Sequence, residues 1–170
     1  MGVSTDAILF YGYCWDAEDT PNPWKIEDDN EDDDWETCYA RAKGCLPPTT
    51  PYPERTVQPT RENGYNSTPK DYSNAEKKII KEHTAYWEAK RKIVEASPCL
   101  VDRHCSASCP MGYVAVRVSV TCSNRGFPHE ITSLAVDPAW KDQLVEFCAT
   151  LSIKTKGMKA AWWLVSDWSE

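Results

Sequence analysis

Glycine is scarce: seven residues are scattered over 170, and no clustered Gly-rich loop of the kind that cradles a phosphate is present. No run approaches the roughly twenty apolar residues of a membrane-spanning helix. The first residues show no basic segment followed by an apolar one, so neither export nor a membrane partner is expected. Basic residues are also short, 19 against 26 acids, for a net charge of −7. Phosphate backbones need the opposite surplus, which argues against direct nucleic-acid binding. What is present suffices for a core. Hydrophobic residues make up 41% of the chain, too many for a disordered polymer. A chain of this length buries about 70% of its unfolded surface without staples. One cytosolic globular domain spanning residues 1–170 is the expectation.

The acids are concentrated. Between Asp16 and Glu36 stand eleven of them against one base, Lys25, so this acidic loop (16–36) carries −10 and the rest of the chain +3. Such a block repels itself, stays solvated and often serves as an interaction segment. Eight cysteines is a high count, but without an export signal they do not read as a disulfide framework. Cys14, Cys122 and Cys148 fall on apolar positions of periodic segments, where a free thiol behaves as a small buried hydrophobe.

Periodicity assigns the elements. Residues 7–14 form a short apolar run expected as a buried strand. Residues 35–44 suit a short helix, with acids at its start, bases at its end and Gly44 as its stop. A long Pro-rich connection (45–72) follows, carrying Pro47, Pro48, Pro51, Pro53, Pro59 and Pro69. Ser73 and Glu76 form a capping box that opens a helix running to about residue 96, ended by Ser97-Pro98. Its stripe holds Ile79, Ile80, Tyr86, Trp87, Ile93 and Val94, with His83 and Lys90 between them. Residues 113–122 alternate, placing Val114, Val116, Val118, Val120 and Cys122 on one face of a half-buried strand. Residues 130–136 suggest a weaker returning strand. Asp137-Pro138 caps a helix to about residue 153, and residues 161–168 end the pattern as an aromatic-rich strand. The order β, α, α, β, β, α, β predicts an α+β fold, with helices packed on a mixed or antiparallel sheet of about four strands.

The strand sequences resemble known blocks. TDAILFYGYCW at 5–15, HCSASCPMGYVAV at 104–116, SVTCSNRGFPHEI at 119–131 and AAWWLVSDW at 160–168 are similar to segments of a family of short proteins encoded by bacteriophages and prophage-bearing bacteria. The resemblance covers both ends of the chain. It implies a phage-associated protein in the host cytoplasm and carries over no catalytic residue.

Motif chemistry is sparse. Cys99, Cys105 and Cys109, with His104 adjacent and Cys122 near in space, suggest zinc, but the spacing supplies only one of the two knuckles a structural site needs. No metal or cofactor is therefore assigned. Cys105 beside His104 suggests a thiolate nucleophile, yet neighbours on an extended strand point to opposite sides. The only other bases are His83, read as a hydrogen-bonded boundary histidine, and His129. Asp28, Asn30 and Asp32 alternate as in a calcium loop, but Asp33 stands where Gly is required and Tyr39 where Glu is required. Arg125-Gly126 fits an ordinary turn as well as an anion site. Trp87, Trp140, Trp162 and Trp163 read as core, while Trp15, Trp24 and Trp35 flank the acidic block.

These observations favour a non-enzymatic interaction protein with no catalytic residues assigned. Its partner-binding set is Asp28, Asp29, Glu31, Asp32, Asp33, Asp34 and Glu36 for charge, with Trp15, Trp24 and Trp35 as desolvated anchors. The expected partner is a basic host protein, a nucleic-acid-binding protein among the candidates. One concrete form is a DNA-mimicking inhibitor of a host defence or CRISPR nuclease. The alternatives are a small cysteine- or metal-dependent enzyme and a virion or assembly component.

Overall fold

A single long strand organises the molecule. The structure, a computed structural model, describes residues 4–16, 34–53, 72–104, 111–124, 126–127, 129–155 and 157–169. Strand β1 (Ser4–Asp16) exceeds the run predicted from apolar residues because neighbours pair it along its whole length. On one side it pairs with β5 (Ala161–Ser169), from Ser4 against Ser169 to Gly12 against Ala161. On the other it meets β4 (Thr121–Ser123) through Ala7, Ile8 and Leu9, then β3 (Met111–Val116) from Gly12 to Asp16. Strand β2 (Cys99–His104) pairs with β3. The four pairings among the described residues are all antiparallel, giving a sheet of five described strands. With helices α1 (Trp35–Ala42), α2 (Asn74–Glu95) and α3 (Pro138–Thr150), the fold is α+β as the sequence predicted.

The segment expected as one alternating strand is two strands separated by a turn. Gly12 faces Ala115 and Leu9 faces Thr121, so three steps along β1 span six along its partner. The surplus forms a 3-10 turn at Arg117–Ser119. An odd surplus inverts the alternation. Val118, expected inside, is 79% exposed, and Cys122 is exposed as well. Side chains hold the turn in place. The Ser119 hydroxyl accepts from the Tyr11 amide, replacing the missing ladder bond, and donates to the Val116 carbonyl. Arg117 donates to the carbonyls of Val94 and Ser97, satisfying the C-terminal end of α2.

Two other segments differ from the sequence pattern. Cys99 to His104, to which periodicity assigns no element, is strand β2, because its residues find an edge on β3. Residues 130–136 carry no strand pairing; their main contact is the Trp162 indole donating to the Leu134 carbonyl. The caps predicted for α2 and α3 form, and α1 has one not assigned from the sequence. Asp34 caps α1, the Ser73–Glu76 box caps α2, and Asp137 with Pro138 opens α3. Gly44 follows α1 with φ +86°.

Each sheet face has its own core. The first carries Tyr13, Trp15, Cys99, Val101, Val114 and Val116, packed beneath Cys38 and Tyr39 of α1 and Leu144, Phe147 and Cys148 of α3. The second gathers Ile8, Phe10, Tyr113 and Ala115 with Cys14, Leu100, Val120 and Val165. Phe10 and Tyr113 stack there at 4.3 Å. Leu100 of β2 and Val165 of β5 reach this second cluster from opposite sides of the sheet, and the two strands approach one another without pairing among the described residues. The sheet is thus curled around its second face, and Gly12 sits at the bend, where a Cβ would overlap the Val114 carbonyl.

Candidate functional site

The acidic run enters the described structure at Asp34. This residue caps α1 by accepting from the Thr37 amide at 2.6 Å. Its carboxylate also accepts from Lys90 at 3.2 Å, and Lys90 donates to the Thr37 hydroxyl at 2.7 Å, with Glu36 4.0 Å away. Lys90, on the apolar stripe of α2, is 4% exposed. Burial pushes the Asp34 carboxyl up, but the Thr37 and Lys90 hydrogen bonds and the Lys90 charge outweigh it and hold the group below its ordinary range. The root of the acidic segment is therefore bolted to the helix layer, while Asp34 and Glu36 keep about half of their side chains in solvent.

The other nominated residues divide. Trp15 is a core residue: its indole lies across Gly112, where a Cβ would collide with the ring. The pleat puts it on the helix-covered face, so its place as a partner anchor is corrected. Trp35 is half-buried against Phe147, with ring centroids 5.8 Å apart. Asp28, Asp29, Glu31, Asp32, Asp33 and Trp24 lie outside the described residues, as do Cys105, Cys109, Arg125 and the Pro-rich residues 54–71. Of the tryptophans expected in the core, Trp140 and Trp162 are half-buried and cluster with Tyr11, whereas Trp87 and Trp163 are exposed. His83 is the boundary histidine expected, donating to the Thr50 carbonyl at 2.8 Å and meeting the Tyr52 ring.

Beyond Trp140, the helix-bearing face of the sheet opens into a groove of about 340 Å³. Leu9, Val118, Ile131 and Trp162 give it apolar walls, and Ser119, Thr121, His129 and Glu130 give it polar ones. Apolar side chains are exposed at its walls and beside it: Val118 is 79% exposed, Leu164 71% and Ile131 53%. Leu164 stands directly opposite Leu9 in the ladder, so these side chains form one surface rather than scattered points.

A second constellation lies on the other sheet face. Cys14 Sγ is 3.4 Å from Nε2 of His104, which reaches over β3 past Tyr113. His104 is buried and Cys14 half-buried. The sequence places Cys14 among the buried hydrophobes, and offers His104 beside the zinc candidate and as a base for its neighbour Cys105, not for Cys14. The 90-residue separation leaves no local signal, and only the strand register joins the two. Cys99, the first member of the zinc candidate, is fully buried on the opposite face in β2. Its thiol is pushed up to about 12 by burial. Among the described residues no group of three or more His, Cys, Asp or Glu side chains is placed to hold a metal ion. No helix among them is long and apolar enough to cross a membrane.

The molecule is thus a curled antiparallel sheet with helices on one face, an anchored acidic segment, a groove of mixed polar and apolar lining and a thiol–imidazole pair. No protein-family model, curated protein or solved structure matches the chain.

Proposed function

We propose that the chain is a non-enzymatic, phage-associated interaction protein that binds a basic surface of a host protein in the host cytoplasm. The observation that carries this reading is the exposed apolar surface of Val118, Ile131 and Leu164, rimmed by polar groups. Contiguous apolar patches on soluble domains mark contact sites. The −10 charge of residues 16–36 supplies attraction to Lys- and Arg-rich partners and repels acidic ones. A phosphate-binding groove on a host defence nuclease, a CRISPR effector included, is the target this pairing suits best. There the carboxylates stand in for DNA phosphates.

The test is capture from a bacterial host lysate at low and high salt, using the wild type, a variant with Asp28, Asp29, Asp32, Asp33 and Asp34 changed to Asn, and Leu164→Glu. The expected result is a basic nucleic-acid-binding protein that is held at low salt, competed off by duplex DNA and lost with either variant. Capture indifferent to salt, DNA and both variants would overturn the reading.

A further inference from the structure

We propose that Cys14 and His104 form a nucleophilic thiol site that accepts an activated acyl group from a small ester or thioester ligand. The two side chains come from β1 and β2, strands held in fixed register by β3 between them. Their 3.4 Å contact is the nucleophile-to-base distance that thiol activation requires. When the thiol donates, Nε2 is the acceptor and Nδ1 carries the ring proton.

Access comes from the other flank of β1. A pocket of about 470 Å³ is lined by Cys14, Gly157, Met158, Lys159, Ala161 and Trp163. The β1–β5 ladder ends at Gly12 opposite Ala161, and the residues just before β5 border this pocket. This volume suits a small ligand. Met158 and Trp163 offer apolar walls for an acyl chain, and Lys159 is the charged residue among the described lining, a cation available to an oxygen that gains negative charge. The other described thiols have different settings. Cys38, Cys99 and Cys148 are buried in the core between the sheet and the helices, Cys45 is half-buried after α1, and Cys122 lies exposed on the short strand β4.

In the step, Nε2 of His104 takes the Sγ proton as sulfur bonds to the acyl carbon. The ester C–O bond, or thioester C–S bond, breaks, and the leaving atom takes the proton back from His104. The products are S-acylated Cys14 and a free alcohol or thiol, with no oxidant or reductant consumed. Burial raises the Cys14 thiol, so it is neutral at rest and His104 acts as a general base during bond formation.

The experiment treats the reduced full chain with p-nitrophenyl acetate and reads acetylation at each cysteine by peptide mass mapping. Cys14 is expected to acetylate about tenfold faster than the exposed Cys122, and His104→Gln to slow Cys14 by about a hundredfold while leaving Cys122 unchanged. Cys14 reacting no faster than Cys122, or at the same rate in the two proteins, would overturn the proposal. If His104→Gln fails to fold, Cys99 and Cys148 will become acetylated too, and the wild-type ratio of Cys14 to Cys122 then decides alone.

Discussion

Lys90 Nζ lies 3.2 Å from Asp34 Oδ1, yet the two partners occupy different surroundings: the Lys90 side chain is 6% exposed and the Asp34 side chain 59%. The pair joins the last turn and a half of α2 to the N-cap of α1. It also places the face of Trp87 5.1 Å from the ammonium. Lys90 is thus enclosed by a carboxylate, a hydroxyl and a ring, while Asp34 keeps water on its far side. Severing the contact from its two ends cannot cost the same.

Asp34→Ala strands a buried ammonium and removes an N-cap, and should lower unfolding free energy by about 2 kcal/mol. Lys90→Met fills the same space with an apolar chain and leaves a hydrated carboxylate, so its cost should stay below about 1 kcal/mol. Urea unfolding of the two variants gives the comparison, and equal losses would contradict the asymmetry.

The same pair predicts an acid response. The Asp34 carboxyl is held below its ordinary value in the folded state, so its protons bind more readily to the unfolded chain. Its contribution is therefore full above the unfolded carboxylate value of about 3.9 and is lost as pH falls through the lower folded value. Melting temperatures followed downward from pH 5 should decline less steeply in Lys90→Met than in wild type. Parallel curves would remove the pair from the acid limb.

Gly12 supplies a third prediction. Its carbonyl accepts from the Trp163 indole at 3.1 Å, and a Cβ there would run into the Val114 carbonyl. Gly12→Ala must spread β1 from β3 at the bend and should cost about 3 kcal/mol. Gly126→Ala meets open space at φ +84° and should cost only about 1 kcal/mol, the left-handed backbone penalty. Thermal unfolding separates the two.

Legibility followed locality. The capping box at Ser73, the Asp137-Pro138 start of α3 and the Gly44 stop were readable because a cap is a contact between residues a few positions apart. The interruption at Arg117–Ser119 was not. Alternation from Val114 to Cys122 is a genuine strand signal, but it is overridden by Ser119 bonding to Tyr11, 108 positions away, and by Arg117 reaching the end of α2. The Cys14–His104 pair was hidden for the same reason. Lys90 was visible on the apolar stripe, but its partner was not.

Two neighbouring valines measure that override. Val116 is fully buried, so Val116→Asp should unfold the protein, since an unpaired core carboxylate is among the most costly substitutions. Val118, on the same face by alternation, is 79% exposed, and Val118→Asp should change stability by less than about 0.5 kcal/mol. Circular dichroism melts of both would expose a wrong register if Val118→Asp also unfolded.

Changing Asp28, Asp29, Asp32, Asp33 and Asp34 to Asn halves the charge of residues 16–36 from −10 to −5. Relief of mutual repulsion favours the fold, whereas Asn at position 34 keeps an N-cap and loses only the charge opposite Lys90. Net stability should therefore move by less than about 1 kcal/mol. Association with a basic partner should slow, and its rate should depend less on salt, because charge steers the encounter more than it holds the complex. Dissociation should change little, since the apolar surface around Leu164 and Val118 stays intact. A stopped-flow series over ionic strength against the captured partner reads both rates. Identical association rates and salt slopes for the two forms would reduce the acidic segment to a solubilising surface and leave the groove as the contact site.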